Sequence, residues 1–247
     1  MTKQPKKGDL FNFHETAGMK KFKKKNDIVT DTYDYSKTNI KPLSRILCCG
    51  STGSGKTQAL LHYIQLSPNV FSRIIIVHKE DEDIYDYLND GLNGAVEFYK
   101  NLSLLPNIKE VRKDMHKSER ILLVIDDFIM DIAKNPKAYP NMDEYFIRGR
   151  KAGKTTLFFL SQNYFSIPMV LRNQFTYMLL FNMVQKHDIN AILANFDNKK
   201  KELRKIYKNI VKNKLDFMKI NTQIDCPDNE KISRNFIDFV EDWSYDD

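Results

Sequence analysis

The chain of 247 residues has little cysteine, and its three cysteines do not form the patterns of a disulfide framework or a zinc site. Cys48 and Cys49 are adjacent in an apolar run and Cys226 stands alone, which excludes a paired-cysteine zinc site and favours a reducing compartment. No apolar run approaches the ~20 residues that a membrane helix needs, and the basic N-terminus lacks the apolar stretch of a signal peptide. The sequence therefore predicts a soluble, intracellular protein without a membrane segment.

Acidic residues are scarce in two segments and concentrated in a third, so the net charge of +7 is unevenly distributed. Residues 1–25 carry eight lysines against two acids, residues 199–219 carry nine Lys or Arg against two acids, and residues 225–247 carry eight acids against two bases. Basic segments of this kind suit a polyphosphate partner, although lysine-rich solvated faces are also common. In the second basic segment, the candidate contacts to the phosphates of such a partner are Lys199, Lys200, Lys201, Arg204, Lys205 and Lys208.

Glycine is also sparse, but three of the nine glycines lie in one motif, G-x-x-x-x-G-K-T. An apolar run over 45–49 leads into the motif, and a helix-compatible run over 58–66 follows it. This is the context of a P-loop, whose glycines let backbone N–H groups surround a phosphate at the positive end of the helix. Lys56 is expected to reach the β- and γ-phosphates of ATP, and the Thr57 hydroxyl to bind Mg²⁺. The predicted nucleotide-binding residues are Gly50, Ser51, Thr52, Gly53, Ser54, Gly55, Lys56 and Thr57.

A second motif, over 121–127, consists of five apolar residues followed by two carboxylates. In an open α/β sheet this order places both carboxylates at the C-terminal end of a buried strand, where ligands bind. The pattern is that of a Walker B motif, in which Asp126 is expected to hold Mg²⁺ directly or through water and Asp127 to polarise the attacking water. A helix N-cap is the alternative for an Asp pair after a strand. The P-loop upstream favours catalysis.

A further strand, predicted over 155–160, ends in a polar amide, Gln162. An amide at this place after a Walker B strand is expected to lie near the γ-phosphate and the attacking water, and to link nucleotide state to neighbouring loops. The alternative is an ordinary turn at the end of a strand. A helix predicted over 141–152 precedes the strand and contains Arg148 and Arg150.

The order of these elements predicts an α/β fold with one core, in which continuous apolar runs form a mainly parallel sheet flanked by helices. Predicted strands lie at 43–49, 73–78, 121–125, 155–160 and 175–181, with a short strand over 95–99 left open and a candidate at 215–220. A helix is also predicted over 186–195. The predicted organisation is a basic N-terminal arm (1–40), a P-loop ATPase core (41–185) and a small C-terminal extension packed on the core (186–247).

The P-loop, the Walker B motif and the segments 149–153 and 160–168 resemble the genome-packaging ATPases of large DNA viruses and virophages, in the FtsK/HerA group of P-loop translocases. The resemblance covers residues 43–185. It implies a RecA-like sheet, a homo-oligomeric ring and Mg²⁺-dependent ATP hydrolysis that moves double-stranded DNA into a preformed capsid. It further implies a capsid or portal-vertex partner, and a place at the assembly site in the host cytoplasm or in the virion.

The resemblance also bears on individual catalytic residues. Many members of the group have Asp-Glu where this chain has Asp126-Asp127, so the second carboxylate is one methylene shorter here. Members use an arginine from a neighbouring subunit to complete the site, and Arg148 and Arg150 lie in the corresponding region. Either could serve, since Arg suits a contact with a transferring phosphate; a solvated basic helix face is the alternative.

Three other functions use similar motifs. A cellular or plasmid DNA translocase would share the same chemistry. A nucleoside or nucleotide kinase would also have a P-loop and nearby arginines, but a strand ending in Gln162 after Walker B is typical of hydrolysing motors, and one thymidine-kinase class would need paired cysteines. A non-hydrolysing nucleotide switch is disfavoured by the acidic pair and by Gln162.

Overall fold

A computed structural model describes residues 17–25, 33–80, 82–92, 95–135, 138–183, 186–194, 196 and 200–240. The chain divides into two units, 1–32 and 33–247. Helix α1 (Ala17–Lys25) belongs to the first unit, and most of the predicted basic arm lies outside the described residues. The fold and the sites below belong to the second unit.

The second unit is built on a sheet with nine strands in the described part of the chain, in the order β3-β2-β4-β5-β1-β6-β7-β8-β9. The six strands from β3 to β6 in this order are mutually parallel, and β7, β8 and β9 continue the sheet in antiparallel fashion. The strands are β1 (Arg45–Cys49), β2 (Arg73–Val77), β3 (Val96–Tyr99), β4 (Ile121–Asp126), β5 (Thr155–Ser161), β6 (Tyr177–Leu180), β7 (Met218–Asn221), β8 (Ile232–Arg234) and β9 (Asp238–Phe239).

Helices cover both faces of this sheet, because side chains alternate across the strands and both sets are apolar. Leu47 and Cys49 face a core shared with helices α4 to α9, whereas Ile46 and Cys48 face a core shared with α2 and α3. The helices are α2 (Lys56–Leu66), α3 (Asp83–Gly91), α4 (Ile108–Arg112), α5 (Ile129–Lys134), α6 (Pro140–Arg148), α7 (Met169–Arg172), α8 (Lys186–Ala194) and α9 (Lys200–Ile210). The predicted α/β class with a mainly parallel sheet between helices is confirmed.

The structure differs from the sequence-based expectation at the helix predicted over 141–152. The α-helix ends at Arg148, and the chain continues as a π-helical turn, Gly149–Gly153. A glycine at each end of this turn weakens the helical preference, and Lys154 then takes a left-handed conformation that leads into β5. Arg150 therefore lies on the π-helical turn and not on the α-helix that was predicted to extend to residue 152.

A buried lysine, Lys219 on β7, links the C-terminal strands to the segment before β1. Its ammonium donates to the carbonyl oxygens of Thr38 and Phe236 and lies 5.3 Å from the centre of the Phe239 ring. Burial lowers the pKa of Lys219 to about 7. These contacts connect the segment before β1 with the hairpin after β7. None of the helices in the described part of the chain has the length and apolarity needed to cross a bilayer.

Candidate nucleotide site

The P-loop begins where β1 ends, at the sheet edge that carries the C-terminal ends of the parallel strands. The Gly50 N–H donates to Ser161 at the end of β5, and the Ser51 N–H donates to Asn182 just after β6, so both neighbouring strands hold the loop. A Cβ on Gly50 would lie 2.5 Å from Cβ of Phe181, which only glycine avoids. Gly55 has a φ of +111°, a conformation that turns the chain into α2. The loop geometry thus fits the motif.

Lys56, the first residue of α2, points back into the loop. Its ammonium donates to the carbonyl oxygens of Gly50 (2.9 Å) and Ser51 (3.0 Å). Burial lowers the pKa of Lys56, and the opposing charges of Asp126 and Asp127 act against that shift. The ammonium therefore lies between the loop and the acidic pair, where it can neutralise phosphate charge.

Asp126 is buried at the end of β4 and is hydrogen-bonded to Tyr85 of α3. The Tyr85 hydroxyl donates to Asp126 Oδ2 at 2.6 Å and also interacts with the Thr57 hydroxyl, while His78 Nε2 lies 3.9 Å from the same carboxylate oxygen. Burial raises the pKa of Asp126, although the Tyr85 hydrogen bond opposes this. Tyr85 therefore holds the carboxylate of Asp126 and lies near Thr57, the other predicted Mg²⁺ ligand.

The donors at this place suit Mg²⁺, which prefers oxygen ligands and keeps several waters and phosphate oxygens in its shell. Thr57 and Asp126 supply a hydroxyl and a carboxylate. Among the described residues there is no group of three or more His, Cys, Asp or Glu that would form a metal cage of protein ligands alone. An ion held by Thr57 and Asp126 would neutralise charge on the phosphate oxygens of a bound triphosphate.

Asp127, the second carboxylate, is linked by hydrogen bonds to both other motifs. Gln162 Nε2 donates to Asp127 Oδ1 (3.3 Å), and Thr52 Oγ1 of the P-loop donates to Gln162 Oε1 (2.9 Å). Asp127 has a φ of +57°, so the chain turns sharply after the strand. One chain of hydrogen bonds therefore connects the P-loop, the Walker B strand and β5.

The two arginines lie elsewhere. The segment with Arg148 and Arg150 precedes β5, and the Arg45 guanidinium at the start of β1 donates to the nearby Phe146 carbonyl. This is the N-terminal edge of the parallel strands, about 20 Å from the P-loop edge for a strand as long as β5. The fold thus brings together every predicted site residue of the P-loop and of the Walker B strand with Gln162, but neither arginine.

Sequence reasoning missed Tyr85 and His78. Tyr85 lies in a region where the hydrophobic periodicity was too weak to assign a helix or a strand. It reaches Asp126 because α3 follows β2, and β2 pairs with β4 in the sheet. One signal was present for His78, which directly follows the apolar strand β2. Polar residues after buried parallel strands gather at one sheet edge.

Comparisons with known proteins bear on the family and the fold of this chain. A family model described as "Poxvirus A32 protein" matches residues 31–238. The fold is similar to that of B204, the DNA-packaging ATPase from Sulfolobus turreted icosahedral virus, with a TM-score of 0.58, 16% identity and coverage of 79% of this chain and 98% of that one.

A second similar structure is the genome-packaging NTPase B204 from Sulfolobus turreted icosahedral virus 2, solved with sulfate. Its TM-score is 0.57 at 20% identity, with 79% of this chain and 97% of that one covered. The same NTPase has been solved with ATP-γ-S, and that structure has a TM-score of 0.54 at 18% identity, with 79% and 98% covered. No curated protein sequence matches the chain. The resemblance inferred from the motifs is borne out, and because the family model spans most of the sequence, the chain belongs to the family of the poxvirus A32 protein.

Proposed function

We propose that this protein is an ATP-hydrolysing motor that moves double-stranded DNA into a viral capsid. The observation that carries the proposal is the hydrogen-bond chain from Thr52 through Gln162 to Asp127. A kinase needs to hold a second substrate beside the γ-phosphate, whereas a motor needs to report the presence of that phosphate to other parts of the chain. The amide of Gln162, between the P-loop and the proposed catalytic carboxylate, supports the task of a motor.

Each part of the site has a role in this proposal. Backbone N–H groups of the P-loop and Lys56 bind the phosphates, Thr57 and Asp126 hold Mg²⁺, and Asp127 takes the proton of the attacking water. Gln162 orients that water and changes partner when the γ-phosphate leaves. The fold similarity to B204 of Sulfolobus turreted icosahedral virus, described as a DNA-packaging ATPase, supports packaging as the task. The similarity to the genome-packaging NTPase B204 of Sulfolobus turreted icosahedral virus 2, solved with ATP-γ-S, supports ATP as the substrate.

A physical connection between the nucleotide site and a basic surface also supports a motor. The Tyr207 hydroxyl of α9 donates to the Phe181 carbonyl (2.6 Å) and accepts from the Met183 N–H (3.1 Å), and Phe181 packs beside Gly50 of the P-loop. Movement at the P-loop would therefore be transmitted to α9. The remaining parts of the proposal are a homo-oligomeric ring, a capsid or portal-vertex partner, and action at the site of virus assembly.

Turnover in the presence and absence of DNA tests the proposal against its alternatives. We expect Mg²⁺-dependent release of phosphate from ATP to rise severalfold when long double-stranded DNA is added. A translocase completes its cycle of ATP hydrolysis while it is bound to DNA. The measurement is steady-state phosphate release with double-stranded DNA, with a short single-stranded oligonucleotide, and with neither. Transfer of phosphate to added nucleosides would indicate a kinase, and binding without turnover a nucleotide switch.

Helix α9 is the proposed DNA-binding surface. Leu203, Tyr207 and Ile210 are buried on one side, whereas Lys201, Lys205 and Lys208 are exposed on the other. Arg204 is half-buried, and Lys199 and the side chain of Lys200 lie outside the described residues. The three exposed lysines lie on one face of an amphipathic helix, an arrangement that can contact several phosphates of a duplex together.

Replacing Lys201, Lys205 and Lys208 by Gln should flatten the salt dependence of DNA affinity. Each lost phosphate contact removes about 0.9 from the slope of log affinity against log salt concentration, so three contacts would remove nearly three. The control replaces three exposed lysines near α4 with the same loss of charge, Lys109, Lys113 and Lys117. An equal change of slope in both variants, or no change in the α9 variant, would mean that the lysines of α9 form a solvated surface and do not contact DNA.

A further inference from the structure

The turn 212–215, between α9 and β7, lies against the P-loop. A Cβ on Gly55 would lie 3.0 Å from Leu215 Cδ2 and 3.3 Å from Leu215 Cα, so both the side chain and the backbone of Leu215 contact the loop. Leu215 is nevertheless 55% exposed. A large apolar side chain at the rim of the phosphate site, open to solvent, is placed to cover part of a ligand.

The turn is held in place by the residue that follows it. The buried carboxylate of Asp216 accepts hydrogen bonds from Asn213 Nδ2 (2.8 Å), Asn235 Nδ2 (2.9 Å) and the Arg234 guanidinium (3.0 Å). Burial would raise the pKa of Asp216, but these three donors outweigh it and the pKa is lowered. A charged carboxylate with three donors anchors the turn to the hairpin, so Leu215 keeps its place beside Gly55.

The side of the P-loop on which the turn lies is informative. Asp126 and Asp127 follow β4 and Gln162 follows β5, on one side of β1, whereas β6 and β7 lie on the other side. A triphosphate bound along the loop has its γ-phosphate beside the acidic pair that serves hydrolysis. Its α-phosphate and nucleoside must then point to the other side, where Gly55 and Leu215 meet.

We propose that the turn 212–215, through Leu215, forms the surface on which the nucleoside of the bound nucleotide rests. This inference depends on the proposed function, since it assumes a nucleoside triphosphate in the P-loop. An aliphatic side chain removes water from the face of a base without reading its polar edge. The contact therefore raises affinity for ATP and GTP alike and does not select between them.

The test is a Leu215→Ser variant, with affinity measured separately for ATP, GTP and inorganic tripolyphosphate. Losing an exposed leucine surface that becomes covered by the base should weaken ATP and GTP about 5- to 20-fold, while tripolyphosphate, which has no nucleoside, should bind as before. Leu215→Met keeps the apolar surface and should keep ATP affinity within about 2-fold. The matched control is Ile224→Ser, a fully exposed aliphatic residue beyond the far end of β7, which should change none of the three.

Two outcomes would overturn the inference. Equal weakening of ATP and tripolyphosphate would mean that Leu215 shapes the phosphate loop, and unchanged ATP affinity would mean that the turn does not touch the nucleotide. Failure of the proposed function is a different result. The unaltered protein would then transfer phosphate to a nucleoside, bind ATP without turnover, or bind neither ATP nor tripolyphosphate, and each of these results is obtained without the Leu215 variants.

Discussion

Asp127→Asn is expected to slow ATP hydrolysis by about 10²- to 10⁴-fold while ATP still binds, because the variant keeps the shape of the side chain and removes the base. The substitution is conservative at this position. Asp127 has a φ of +57°, and Asn is among the residues that tolerate the left-handed region. The amide can also keep its hydrogen bond with Gln162. Binding is measured with a fluorescent ATP analogue, and hydrolysis by phosphate release within a single turnover.

Lys56→Ala provides the comparison, since it removes a phosphate contact and should lose both binding and turnover. Its ammonium is the cationic group that lies inside the P-loop in the described structure. Normal turnover in Asp127→Asn would assign the base to another residue. Loss of ATP binding in that variant would instead make Asp127 a part of the phosphate site.

Arg150→Ala is expected to lower turnover about 10³-fold or more, because an arginine that stabilises the charge on the γ-phosphoryl oxygens contributes that much. Within one chain Arg150 lies at the sheet edge opposite to the P-loop, so its action would have to be on a neighbouring subunit. Both Arg148 and Arg150 are exposed, and Arg148 lies 4.0 Å from Glu144 in a loose ion pair. Arg150 has no acidic partner among the ion pairs of the described residues, which favours it as the first choice.

Mixing inactive subunits tests this action across a boundary. Arg150→Ala and Lys56→Ala chains should each be inactive alone, but in randomly mixed rings with one repeating interface about a quarter of the sites would combine an intact P-loop with an intact arginine. Partial recovery of turnover is the expected result, measured on rings whose mixed composition is verified by mass spectrometry. Absence of recovery in such rings would reject the trans assignment. Full activity of Arg150→Ala alone would move the assignment to Arg148, and Glu144→Gln is a control that removes only the partner of Arg148.

The core strands and the P-loop could be predicted because their signals are local. The runs at β1, β2, β4 and β5 are apolar over both faces, and this alone indicates buried parallel strands. The P-loop could be predicted for the same reason, since its glycines, lysine and threonine are close together in the sequence and shape one short stretch of backbone. Strands β8 and β9 were not predicted, because they are too short to be recognised from periodicity. They are strands because they pair with neighbouring strands in the sheet.

The sequence by itself determined which residues form the candidate phosphate loop and which two carboxylates end a buried strand, because spacing along one strand–loop–helix unit sets those positions. Only the tertiary structure decided that Tyr85 hydrogen-bonds to Asp126, that Gln162 lies between Thr52 and Asp127, and that Leu215 packs on Gly55. It also decided that both arginines lie at the opposite edge. The physical reason is the strand order, which places residues separated by many positions in the chain side by side and leaves no trace in local sequence.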